Sequence, residues 1–274
     1  MCTVVLLIRP KHPWPVMLAA NRDERLDRPW DPPAAWWPDR PGVVAGRDRS
    51  GNGTWMGVNR HRVVATVLNR RGSLGPAPGK RSRGELPLLA LEHASAPAAA
   101  NAIAALDAAQ WRSFNMVVAD PTGAALFLRG LGAGRPDAIP LTAGLHMITS
   151  RDPDDRTSER VSRHLPRFRA APPPDTDGWS AWRAILTDRS GSAAEQINVV
   201  PRGGYGTVCS SLLGLPQQGA PVWRFIVGPP DAATDETVDF QAAIVSGQAE
   251  MADQPRHGID KTTETAEVPG QRRS

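Results

Sequence analysis

The sequence predicts an α+β protein in which one β-sheet packs on another and helices lie outside them. Three observations carry this. Short apolar runs separated by turn signals recur as hairpins. The Leu/Ala-rich and amphipathic stretches that read as helices fall into two blocks, near 85–109 and 156–189. The order of strands, helical pair, strands, helical pair, strands does not alternate βαβ, which argues against a Rossmann-type sheet.

Taken in order, Thr3-Val4-Val5-Leu6-Leu7-Ile8 is a strand, followed by a Pro-rich turn from Pro10 to Pro15 and a second strand over 16–24. Alternation puts Asn21 and Asp23 on one face of that strand and Arg22 and Glu24 on the other. Residues 25–42 are too rich in proline for helix or central strand and read as an ordered loop pinned by tryptophans. Val43 to Asp48 leads into the turn Gly51-Asn52-Gly53. Runs 54–58 and 62–69 then form a hairpin through Asn59-Arg60-His61. A Gly/Pro/basic loop at 70–84 precedes two helices, about 85–94 and 97–109. Strands at 115–119 and 124–128 are joined by Asp120-Pro121-Thr122-Gly123, and Gly130 to Gly134 is a loop. A strand over 144–150, helices at 156–169 and 178–189, and a closing strand pair at 203–213 and 222–227 complete the domain, 1–228. Residues 229–274 are polar and are expected to be a disordered tail with at most a short helix near 236–246.

Composition narrows the classes. A chain of 274 residues can bury a full core. Its two cysteines, Cys2 and Cys209, make no disulfide framework, which fits a reducing, cytoplasmic setting. No apolar run reaches the length of a membrane span. The net charge of +4 is interspersed with acids, and the sequence holds no nucleic-acid-binding module, so nucleic acid is not expected as a partner. Neither Cys-x-x-Cys nor His-Glu-x-x-His occurs, and no metal site is expected.

The chemistry centres on Cys2. Trimming of the initiator methionine would leave one residue carrying both a thiol nucleophile and a free α-amine. With ordinary values of about 8.5 and 7.7–8.0, the amine is poised to take the thiol proton. Pairing of the first two strands would bring Asn21 and Asp23 toward the chain start. The alternative is an inert core thiol at the head of a first strand. Trp14, Trp30, Trp36, Trp37 and Trp55 either line an apolar pocket near Cys2 or simply pack the core and loops.

Several motifs appear in order: Met1-Cys2-Thr3, Asn21-Arg22-Asp23-Glu24, Ala45-Gly46-Arg47-Asp48, Gly53-Thr54-Trp55-Met56-Gly57, Ser82-Arg83-Gly84, Phe114-Asn115 and Tyr205-Gly206-Thr207. On these, the chain resembles the NRDE family of transport and Golgi organisation protein 2-like chains. That family in turn resembles the N-terminal-nucleophile hydrolases of the cholylglycine-hydrolase type. The resemblance implies a four-layer αββα sandwich and a small amide or acyl substrate. It implies Cys2 as nucleophile with its own amine as base, Asp23 holding that amine, and Asn69 stabilising the oxyanion. Asn21, Arg22, Glu24, Asn59 and Ser150 would bind substrate or support the site, and no cofactor would be required. The arginine that such hydrolases carry just before Asn-x-Asp is Ala20 here; Arg22 lies inside the motif and is expected to face the other way. The family's links to haem mobilisation and lipid homeostasis give an alternative, a non-catalytic haem or lipid carrier, with Cys2 or His146 as candidate haem ligands.

Overall fold

The computed structural model describes residues 2–174 and 178–240. Two antiparallel sheets form its centre. The first runs β1 (Thr3–Ile8), β2 (Val16–Arg25), β10 (Gly144–Ile148), β11 (Tyr205–Leu215), β12 (Val222–Val227) and β13 (Asp235–Thr237), in spatial order β10-β1-β2-β11-β12-β13. The second keeps chain order: β3 (Trp30–Ala34), β4 (Val44–Asp48), β5 (Met56–Val58), β6 (Val64–Asn69), β7 (Phe114–Ala119), β8 (Ala125–Gly130) and β9 (Asp137–Pro140).

Alternation sorts each strand between two cores. Val4, Leu6 and Leu18 of the first sheet meet Val44, Met56, Val64, Val117 and Phe127 of the second. The outer face of the second sheet, with Ala65, Met116 and Val118, is covered by α1 (Glu85–Ala90) and α2 (Ala96–Ala104). The outer face of the first, with Val5, Met17, Ala19 and Met147, is covered by α3 (Glu159–Ala170) and α4 (Ser180–Leu186). The layers are therefore αββα. Helix α3 buries Val161, Leu165 and Phe168 at helical spacing, and Arg160 and His164 share that inward stripe.

Three sequence expectations need correction. Pro32 and Pro33 lie in β3, which proline tolerates because the strand is at a sheet edge and its pairing slips between Asp31 and Ala34. The short, polar β9 on the opposite edge escaped the sequence pattern. Residues 229–240, expected as tail, add β13 to the first sheet and bury Phe240 against Trp223. The rest of the expected tail and most of its short helix, residues 241–274, lie outside the described residues.

Candidate active site

Registry decides which side chains meet. Thr3 pairs with Asn21, so one step earlier Cys2 stands beside Arg22, and Arg22 in turn pairs with Cys209 on β11. On the other side the pairing of β1 with β10 ends at Val4–Ile148, two residues before Ser150. Cys2, Arg22 and Cys209 thus form a row across the first sheet, facing the second. Trp55, Met56, Thr66 and Leu68 stand opposite, and the cleft between them has an interior of about 20 Å³. Cys2 and Cys209 are both free thiols. Two strand spacings hold their backbones roughly 10 Å apart, beyond disulfide reach.

The Cys2 thiol donates to the main-chain carbonyl of Asp23 at 3.5 Å, and the Tyr205 hydroxyl donates to the same oxygen at 2.8 Å. Burial, then the Asp23 carboxylate, push the Cys2 thiol pKa up, so the resting sulfur is protonated. Burial pushes Cys209 up to about 12, an inert core thiol. Burial also raises the Tyr205 phenol.

Asp23 projects to the other face of the sheet, toward α3. Its Oδ2 accepts from Arg160 Nη1 at 3.0 Å and its Oδ1 from Thr207 Oγ1 at 2.6 Å. The ion pair is sealed, with side-chain exposures of 0% for Asp23 and 4% for Arg160, and Arg160 Nη1 also donates to Thr3 Oγ1 at 3.1 Å. The carboxylate therefore does not touch the sulfur; it lies beside the main chain that leads into Cys2.

The other expected residues divide. Asn21, on the Asp23 face, is structural: its amide donates to the carbonyls of Leu186 and Ile197 and its oxygen accepts from Ser210, tying β2 to α4. Glu24 is half-buried near Arg22 and Arg28, at 4.0 and 3.9 Å. Asn59 sits at the far end of the second sheet, clamping the chain after α1 through the carbonyls of Leu91 and His93, and takes no part in the cleft. Ser150 is buried, and its carbonyl holds Arg71 of the 70–84 loop. Asn69 ends β6 opposite Phe114; alternation turns it away from the face carrying Thr66 and Leu68, and its amide makes no hydrogen bond among the described residues.

Arg22 is the main departure. Residues 20 and 22 project the same way along a strand, so Arg22 shares the cleft face of Ala20 instead of facing elsewhere. It is 6% exposed, and its guanidinium stacks 4.2 Å from the Trp55 ring centroid. Trp55 can lie there because Gly46 has no Cβ: one built on Gly46 would fall 2.4 Å from the indole. Trp30 meets Trp55 edge-on, whereas Trp36 and Trp37 pack toward the α1/α2 layer. Sequence reading passed over Arg160, Thr66, Cys209 and Ser211. Only Arg160 left a signal, the i, i+4 pair with His164 on the apolar face of α3.

The candidate haem ligands do not fit that role. His146 Nδ1 contacts Asp154 at 2.8 Å and Nε2 contacts the Thr142 carbonyl at 3.0 Å. Both ring nitrogens face acceptor oxygens, which leaves neither lone pair open to iron, and the Asp154 hydrogen bond raises the ring's pKa despite burial. The interior of the Cys2 cleft, about 20 Å³, has room for about one water molecule and is far too small for a haem. Among the described residues, no helix is long and apolar enough to cross a membrane.

The fold has solved counterparts. The chain is similar to a Caenorhabditis elegans N-acylethanolamine-hydrolyzing acid amidase ortholog, at 13% identity and a TM-score of 0.57, over 79% of this chain and 94% of that one. It is also similar to an R18L variant of the conjugated bile acid hydrolase of Clostridium perfringens, at 11% identity and a TM-score of 0.52, over 88% and 93%. At these identities the likeness is one of architecture, the N-terminal-nucleophile-hydrolase fold. A search of the curated proteins found no match. The model of the Transport and Golgi organisation 2 family matches residues 1–223, and the chain belongs to that family.

Proposed function

We propose that the protein is an N-terminal-cysteine amidohydrolase acting on a small amide or related acyl substrate. One observation carries the reading: Cys2 heads β1 with its sulfur turned into the inter-sheet cleft, at the chain end where removal of Met1 would free its amine. Because burial keeps the resting thiol protonated, a local base is needed. The α-amine takes the thiol proton. Asp23, fixed by Arg160 and Thr207, holds the resulting ammonium from the opposite face of the sheet and does not itself take the proton. The thiolate forms a bond to the carbonyl carbon while the carbonyl π pair moves to oxygen. Collapse restores the carbonyl, breaks the C–N bond and sends the ammonium proton to the leaving amine; water then hydrolyses the thioester.

The architecture shared with an amidase and a bile acid hydrolase supports this class of reaction. The test is incubation with p-nitrophenyl acetate and a panel of N-acyl amides. A burst of p-nitrophenol with an acetyl adduct on Cys2, absent from Cys2→Ala, is expected. Equal product from wild type and Cys2→Ala refutes the reading.

A further inference from the structure

We infer that Arg22 is the oxyanion donor of this site, in place of Asn69. The inference rests on the hydrolase reading above. It starts from a vacancy in the expected machinery: the Asn69 amide is turned to the other face of β6, so an oxyanion formed at Cys2 needs its donor elsewhere.

Arg22 supplies one. Its Nη1 is buried and has no hydrogen-bond partner among the described residues, while Nη2 lies 4.0 Å from Glu24. A sealed cationic N–H with no acceptor is costly, and such exceptions call for an explanation. Here the guanidinium stands one strand from the nucleophile, on the same face and in the same cleft. Its direction is fixed by stacking on Trp55, which is seated over Gly46. A preorganised donor in a water-poor cleft, unpaired until charge develops, is what stabilises a tetrahedral intermediate most strongly. Hydroxyls line both walls of the cleft, Ser211 on the first sheet and Thr66 on the second. Glu24 keeps the cation oriented from the solvent side without occupying Nη1. When the carbonyl π pair moves onto oxygen, that oxygen accepts a hydrogen bond from the open Nη1–H, which is released when the carbonyl re-forms.

The test separates oxyanion stabilisation from simple activation of the sulfur. Alkylation of Cys2 by iodoacetamide is a displacement at saturated carbon and develops no carbonyl oxyanion. Acylation by p-nitrophenyl acetate does. Both rates are measured at Cys2 by mass spectrometry for wild type, Arg22→Met and Arg22→Lys. Oxyanion donation predicts that the ratio of acylation to alkylation falls about 10²–10³-fold in Arg22→Met. In Arg22→Lys, which keeps charge and a donor, part of the ratio returns. An unchanged ratio in Arg22→Met, with both rates lowered together, overturns the inference and leaves the hydrolase reading standing. Should wild-type Cys2 alkylate but never acylate, the hydrolase reading itself falls and the inference with it. Alkylation serves as the check on folding, because an Arg22→Met chain that has lost its structure alkylates at the urea-denatured rate; Arg22→Lys then carries the comparison.

Discussion

Replacing Arg160 by Met should destabilise the fold by about 3–5 kcal/mol, the usual cost of removing one partner from a buried ion pair. The geometry puts this pair at the expensive end. Asp23 has no exposed side-chain surface and Arg160 only 4%; the Nη1–Oδ2 distance is 3.0 Å, and the same Nη1 holds Thr3 Oγ1 at 3.1 Å. Methionine fills much of the arginine stem's volume, so the loss is electrostatic more than steric. Urea denaturation followed by far-UV circular dichroism reads it. With slopes of about 1–3 kcal/mol/M, the midpoint drops by about 1 M or more. Asp23→Asn with Arg160→Met should recover part of the loss, because the double variant leaves no charge buried alone. A single-variant cost below about 1 kcal/mol, or a double variant equal to the sum of the singles, would refute the claim that this pair ties α3 to the head of β1.

Stability should also fall in acid through His164. Arg167 Nη1 donates to its Nδ1 at 3.0 Å and Nε2 contacts the Glu195 carbonyl at 2.9 Å, so the buried ring is neutral. Burial first, and then the neighbouring arginines, bring its pKa down to about 4. Below about 6.5 the unfolded chain takes up a proton that the folded chain refuses until about 4. Stability therefore drops by about 3 kcal/mol across that window; His164→Gln should lose this slope, and a variant with the wild-type slope would contradict it. At Gly46, a new Cβ would lie 2.4 Å from the Trp55 ring. Gly46→Ala should cost about 1–3 kcal/mol and slow acylation of Cys2 more than alkylation; an unperturbed acylation rate would show that Trp55 does not position Arg22.

Much of this architecture was readable from alternation. The pairing of the first two strands, the 54–69 hairpin and the two helical blocks follow from period-2 and period-3.6 patterns whose buried faces the structure shows. What escaped was decided by neighbours. Pro32 and Pro33 exclude a central strand but not an edge one. Polar Asp235–Thr237 joins a sheet because β12 offers an unpaired edge. In the site, Cys2 and Asp23 are legible as residues of one corner, but the sheet plane that separates them is not. Asn69 matches the motif, while parity sets it on the opposite face of β6 from Leu68, one residue before it. Arg22 is legible as a supporting residue of the motif, but its place on the cleft face depends on Trp55 above it and Cys2 beside it. Arg160 lay in a helix read only as basic and amphipathic, and Asp23, its partner, is 137 residues away in sequence.

In the proposed reaction the sulfur of Cys2 acts with its own liberated amine. Intact-protein mass spectrometry of the purified chain, combined with the pH dependence of Cys2 acylation, tests this most directly. The expected result is a mass lacking Met1, with an acylation rate that rises through a single inflection above the ordinary α-amine pKa of about 7.7–8.0, because Asp23 favours the ammonium. A chain that keeps Met1 and still acylates at Cys2 with an unchanged profile would contradict it.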